Sequence, residues 1–514
     1  MSKPRPKLPL SIFAPSTPSS APTPRSHFSP DTAKSTHNHL DPYPSSRDPD
    51  TGDLTLPSSI QPGSTGFPAN VLDSHVSIWE GAAKMGEDGG GGELGGGGGV
   101  GWYKGLVQDG VEVTAIGAHV PTFQGWVYVE MGTGLDQKDD EAKVEDEQVW
   151  KEAFKEVELV MKQAADNTVA PLLAIVPWAP IPAGRETLSE YITQLQNISP
   201  PTPTPTPTPI KPISSLIRGF RHLLINSPSS TTLQPRFIDS LKYLGERQLI
   251  FEICLKEGGG GEVDMDEILD CIASVRKDQK EEERTVFVLD HFGGADVGGA
   301  EGQGGGEGIG REAFMSHATY LRELSLTPLV YLKMSGFLTH FRPTLLQSAF
   351  HEYLLTLVDE PELADHYDEA VSKTARDEEE NRLMNGVGGG DGKSQGGRTK
   401  GHGRKMSLGA TSWGQVRKAI KLFLEVALEA YGDQRILFGS DFPNYHRILF
   451  PSPTPTPTPT PAPAPAAEKR KALESAAWRF ALESYRIPLV ELGLDDQALD
   501  RIFEGNARKV YGIF

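Results

Sequence analysis

Eight short apolar runs, several of them followed by a helical pattern, constrain this chain more than any other feature. They are VLDSHVSIW (71–79), WVYVE (126–130), LLAIVPW (172–178), LIRGFRHL (216–223), LIFEICL (249–255), VFVLDH (286–291), LVYLKMSG (329–336) and ILFGSDF (436–442). Helical periodicity marks DEQVWKEAFKEVELVMKQAAD, QPRFIDSLKYLGERQ, DMDEILDCIASVRK, REAFMSHATYLREL, WGQVRKAIKLFLEVALEAYG and EKRKALESAAWRFALESY. Continuous apolar strands suit a parallel sheet buried on both faces. Eight strand–helix units predict an α/β chain folded as a distorted (β/α)8 TIM barrel.

Glycine and proline, 55 and 41 of the 514 residues, are concentrated in a few runs, so the rest is ordinary globular sequence. Residues 1–68, rich in Pro, Ser and Thr, read as a disordered tail, and 69–514 as the barrel domain. Biased segments near 89–99, 201–209, 258–261, 293–310, 370–405 and 451–466 interrupt that domain as insertions. All but the 370–405 segment are expected to follow a strand and precede a helix, on the face where barrels carry their sites. The Pro-Thr alternation reads as solvated spacer.

The formal charge of −19 argues against a nucleic-acid binder, which needs a basic surface. No apolar run approaches membrane-spanning length. Cys254 and Cys271 sit in apolar contexts without metal-like spacing, as buried thiols in a reducing compartment. The first thirty residues carry Lys3, Arg5, Lys7 and Arg25 and no acid, but their prolines oppose a transit helix. The expectation is a cytoplasmic protein, with a mitochondrial one as the alternative.

Polar residues gather where the runs end. The first carries Asp73, His75 and Ser77, which lie two apart and are expected to share a face. Glu130 ends the second run, Arg218, Arg221 and His222 lie in the fourth, and Asp290 and His291 end the sixth. Lys333 and Ser335 lie in the seventh, and Ser440 and Asp441 in the eighth. Charged groups on buried strands need partners, so a closed sheet brings them into one pocket.

DSHVSIWE, RGFRHLL, VLDHFGG, YLKMSGF, ILFGSDFPN and the C-terminal IFEGNARKVYG together resemble the amidohydrolase-related family, and more closely its sugar-lactonase branch. The resemblance runs from about 71 to 514. It implies a barrel that hydrolyses esters or lactones of small sugar acids. It also implies that His75, His291 and Asp441 are catalytic and ligate one divalent, zinc-like metal, with Asp441 as the base that activates water. Ser77 stands where the family carries a second strand-one histidine. Serine is a poor zinc ligand, so a metal-independent site is the alternative. Arg221, His222, Lys333 and Glu130 are expected to bind a small-molecule substrate, with Glu130 also a candidate replacement ligand. Two other readings compete with the hydrolase: a decarboxylase or other lyase on the same barrel, and a non-catalytic relative with a decayed metal site.

Overall fold

The computed structural model describes residues 66–77, 121–130, 147–165, 171–198, 211–225, 227–255, 263–295, 311–357, 364, 367, 411–450 and 464–514. The chain divides into Met1–Ser59 and Ile60–Phe514, and the first unit lies wholly outside the described residues. The expected disorder of the tail therefore falls there too, except at its end. Gly66 N–H donates to Asp496 at 2.9 Å, and the Arg486 guanidinium lies 3.8 Å above the Phe67 ring.

Every apolar run contains a strand: β1 (Asn70–Val76), β2 (Thr122–Val129), β3 (Leu172–Val176), β4 (Gly219–Leu223), β5 (Ile250–Cys254), β6 (Val286–Leu289), β7 (Val330–Met334) and β8 (Ile436–Phe438). The fourth starts later than the run, because Leu216 closes a short helix. All pairings are parallel, in a sheet β1-β2-β3 and a sheet β4-β5-β6-β7-β8. Parallel bridges Ile175–Ile217 and Trp178–Arg221 join the sheets at one boundary, and Val76–Phe442 joins them at the other. The two sheets therefore meet along both edges.

Helix α1 (Glu147–Ala165) precedes β3, and α2 (Arg185–Gln196) and α3 (Ile213–Leu216) precede β4. Helices α4 (Pro235–Glu246), α5 (Met265–Arg276) and α6 (Arg311–Ser325) follow β4, β5 and β6 in turn. Then α7 (Pro343–Leu354) and α8 (Ser412–Tyr431) lie between β7 and β8. After β8 come α9 (Asn444–Leu449), α10 (Ala464–Glu491), α11 (Asp496–Asp500), a π-turn and α12 (Asn506–Tyr511). Side-chain caps fix several starts: Asp264 accepts from Glu267 N–H, Thr411 from Gly414 and Asp495 from Ala498. No described helix is long and apolar enough to cross a membrane.

The helices correct two expected placements. The 201–209 Pro-Thr run follows α2 and precedes α3 and β4, so it lies on a helix-to-strand connection. RETLSEYITQLQ buries only Leu188, Tyr191, Ile192 and Leu195, and that thin apolar stripe hides the helix in the sequence. The runs at 258–261 and 293–310 do separate a strand from a helix, whereas 451–466 begins after the short α9. The run at 89–99 and the segment 370–405 lie outside the described residues.

Alternation along the strands divides the core in two. Val71, Tyr128, Ile175, Phe220, Phe251, Phe287, Leu332 and Phe438 pack in a large cluster with the helices. Leu72, Val127, Val129, Ala174, Val176, Ile250, Val288, Tyr331 and Leu437 face the other way and pack on Ala507, Val510, Tyr511 and Ile513. The C-terminal helix α12 thus covers the first residues of this second face. Its Asn506 amide donates to Asp433 O and Ile436 O at 2.7 and 2.8 Å, tying it to the start of β8.

Candidate active site

The second face changes character along each strand. Ile250 is followed two residues on by Glu252, Val288 by Asp290, Tyr331 by Lys333 and Gly219 by Arg221. Because the strands are parallel, the charged residues collect toward their C-terminal ends. Arg221, Glu252, Asp290, Lys333 and His75 are all at most 3% exposed. Such burial is tolerable only in a connected network.

Lys333 is the centre of that network. Its ammonium donates to Glu252 Oε2 at 2.6 Å, lies 3.1 Å from Asp290 Oδ1 and is 3.4 Å from His75 Nδ1. The Tyr511 hydroxyl of α12 donates to the other Glu252 oxygen at 2.7 Å. Arg221 Nε lies 3.4 Å from Asp290 Oδ2, and its Nη1 donates to the Glu130 carbonyl at 2.6 Å. Burial alone would raise the Asp290 pKa, but the Lys333 and Arg221 charges hold it well below the usual carboxylate range. Glu252, buried and beside Asp290, is pushed up to about 7 despite Lys333. Burial would discharge Arg221, but the surrounding acidic groups, Cys254, Asp290, Glu130 and Glu252, raise its pKa further.

His75 joins this network to a second group. Its Nδ1 lies 3.6 Å from Asp290 Oδ1, while Nε2 lies 3.7 Å from Asp441 Oδ1. The His75 and His291 rings are 4.8 Å apart. Burial and then the Lys333 charge lower His75 to about 3, and burial and then His75 lower His291 well below the ordinary histidine range. Both imidazoles are therefore neutral at pH 7.

Backbone geometry places the second and third members. His291 and Asp441 adopt φ of 52° and 59°, left-handed conformations that ordinary side chains avoid. The turn at His291–Gly294 brings the His291 ring to Ser335, with Nδ1 3.1 Å from Oγ. Gly336 packs against that ring, and a Cβ there would lie 2.2 Å from His291 Nδ1. Asp441 N–H donates to His75 O at 3.0 Å, and Asn444 Nδ2 donates to Asp441 Oδ1 at 3.0 Å. Strain of this kind concentrates where side chains must be aimed.

Of the expected site residues, the structure brings His75, His291, Asp441, Arg221 and Lys333 together. Lys333, expected on the substrate, spends its ammonium on Glu252, Asp290 and His75. Glu130 joins through its main-chain carbonyl. His222 is a correction: its Nδ1 lies 3.1 Å from Ala179 O, and its ring packs near Trp178 and Phe237. As Arg221's neighbour on a strand, it must point to the opposite face. Asp73 and Ser77 spend their side chains on the backbone, and Asp73 Oδ1 accepts from His75 N–H at 3.2 Å. The β1–β2 register shifts between Asp73 and Val76, which breaks the alternation. Asp73 Oδ1 accepts from Ser440 N–H at 2.8 Å, and the Ser77 hydroxyl donates to Val129 O at 2.6 Å. The sequence reading missed Glu252 and Tyr511. The only signal for Glu252 was a lone charge inside the apolar run LIFEICL.

His75, His291 and Asp441 offer ligand atoms within 4.8 Å of one another. Two imidazoles and a carboxylate are a donor set that catalytic zinc takes, with further positions for water or substrate. Each imidazole also has an outer partner, Asp290 for His75 and Ser335 for His291, as metal-binding histidines usually do. The residues therefore fit one divalent ion, and Ser77 adds no ligand to them.

No curated protein matches the chain. Among solved structures it is similar to an amidohydrolase from Burkholderia multivorans with bound zinc, at 16% identity and TM-score 0.42, over 87% of this chain and 100% of that one. It is also similar to a probable 2-pyrone-4,6-dicarboxylic acid hydrolase from Acinetobacter baumannii with citric acid bound (11%, TM-score 0.41, 86% and 99%). A third is 2,6-dihydroxybenzoate decarboxylase from Rhizobium (10%, TM-score 0.35, 87% and 99%). The family profile described as amidohydrolase matches residues 213–513, more than half of the 514. That span holds Arg221, Glu252, Asp290, His291, Lys333 and Asp441, and on this match the chain belongs to the amidohydrolase family.

Proposed function

We propose that this chain is a hydrolase of a small ester or lactone, most simply the lactone of a sugar acid, built on a (β/α)8 barrel. The barrel reading is supported by eight parallel strands in chain order and by bridges at both sheet boundaries. The observation that carries the functional reading is the convergence of neutral His75 and His291 with the carboxylate of Asp441.

Lactone hydrolysis needs an activated water, a polarised carbonyl and a proton for the leaving oxygen. Asp441 is the base: it takes a proton from water as the water oxygen bonds to the carbonyl carbon. It then returns that proton to the ring oxygen as the carbon–oxygen bond breaks, giving a carboxylic acid and a free hydroxyl. Asn444 holds the carboxylate in place at 3.0 Å. A divalent ion held by His75, His291 and Asp441 would supply Lewis-acid polarisation of the carbonyl. Arg221, kept charged by its acidic surroundings, supplies positive potential where oxyanion charge develops. Burial keeps the His75 ring neutral, and the Lys333 charge behind it adds to that effect.

The test is hydrolysis of a panel of aldonolactones by the purified chain, with and without chelator. Turnover that Asp441→Asn removes supports the reading. Unchanged turnover in that variant contradicts it, and carbon dioxide released from an aromatic acid in place of lactone hydrolysis favours a lyase.

A further inference from the structure

A second donor set lies behind the first. His75, Glu252 and Asp290 also place one ligand atom each within 4.8 Å of one another, and all three are buried. One imidazole and two carboxylates are hard, partly anionic ligands that a divalent cation would take readily. The Lys333 ammonium stands among these atoms, 2.6 Å from Glu252 Oε2, 3.1 Å from Asp290 Oδ1 and 3.4 Å from His75 Nδ1. Three neighbours surround the ammonium, and it has no lone pair to offer a metal. Glu252 is held for it by the Tyr511 hydroxyl, and the Tyr511 ring lies 5.8 Å from Nζ.

From this arrangement we infer that Lys333 is a built-in cation occupying a second metal position, which limits the site to at most one divalent ion, at His75, His291 and Asp441. A metal entering the second set would have to displace a covalently tethered charge from a carboxylate it touches. It would also sit against the like charge of Arg221, which is paired with Asp290. The inference concerns metal uptake and does not depend on which reaction the chain performs.

Cobalt(II) is the probe, because its visible absorption reports ions in buried His and carboxylate sites. Wild type, Lys333→Met and Lys333→Arg are titrated with cobalt chloride, and bound metal is counted after dialysis. The Met side chain is unbranched, one atom shorter, and removes the charge. Lys333→Met is expected to bind one equivalent more than wild type, and Lys333→Arg the wild-type number. Equal uptake by folded Lys333→Met and wild type overturns the assignment. If Lys333→Met does not fold, the wild type decides: at millimolar cobalt, no more than one buried equivalent supports the assignment. A second equivalent that disappears in Glu252→Gln overturns it.

Discussion

The set of His75, His291 and Asp441 and the set of His75, Glu252 and Asp290 share one imidazole and differ in what lies between their donors. In the first, backbone strain at His291 and Asp441 aims side chains at a common point, and the 3.7 Å from His75 Nε2 to Asp441 leaves the two without a direct hydrogen bond. In the second, a lysine 2.6 Å from a carboxylate has already closed the gap. The same ingredients thus give a place for chemistry on one side of His75 and a fixed electrostatic support on the other. Polar groups alone do not mark an active site; how their mutual attraction is satisfied decides the matter.

The largest effect that separates the two sets should come from Asp441→Asn. Loss of a general base costs about 10²- to 10⁴-fold in rate, so kcat on the hydrolysed lactone should fall by that order while the far-UV circular dichroism stays unchanged. Lys333→Met should act chiefly on stability. It removes the shared partner of two buried carboxylates, and breaking a buried ion pair costs about 3–5 kcal/mol. Urea unfolding should show that loss, and a midpoint equal to wild type would deny Lys333 its supporting role.

The eight strands were legible because buried parallel strands write themselves as uninterrupted apolar runs. His75, His291 and Asp441 were named from the family resemblance, and the structure brings their ligand atoms within 4.8 Å of one another. Alternation was the weak link. It put Asp73, His75 and Ser77 on one face, but a register shift falls between Asp73 and Val76, and Asp73 and Ser77 bond to Ser440 N–H and Val129 O. Applied to neighbours, it should have separated Arg221 from His222. Glu252 and Tyr511 are 259 positions apart in the chain, and only the packing of α12 against the sheet makes them partners.

Smaller effects refine the comparison. Gly336→Ala would place a Cβ 2.2 Å from His291 Nδ1 at a φ of +68°. Strain of this kind costs about 1–3 kcal/mol. Turnover should drop with the displaced imidazole, while the stability of the Lys333 network, probed by the same urea titration, falls by no more than that strain. Outside both sets, burial lowers His222 and His317 to about 4. In the unfolded chain they take up protons near pH 6.5, so folded stability is fully present above that pH and falls as pH drops toward 4. The urea midpoint should follow that direction, and His222→Gln should shallow the acid slope. The same variant should leave kcat/KM close to the wild-type value, since the His222 ring packs near Trp178 and Phe237 and not with the three donors.

Anomalous diffraction from zinc-soaked crystals tests the contrast most directly. One anomalous peak is expected within bonding distance of His75, His291 and Asp441, and none among Glu252, Asp290 and Lys333. A peak beside Glu252 and Asp290, with the Lys333 side chain turned away, would contradict it.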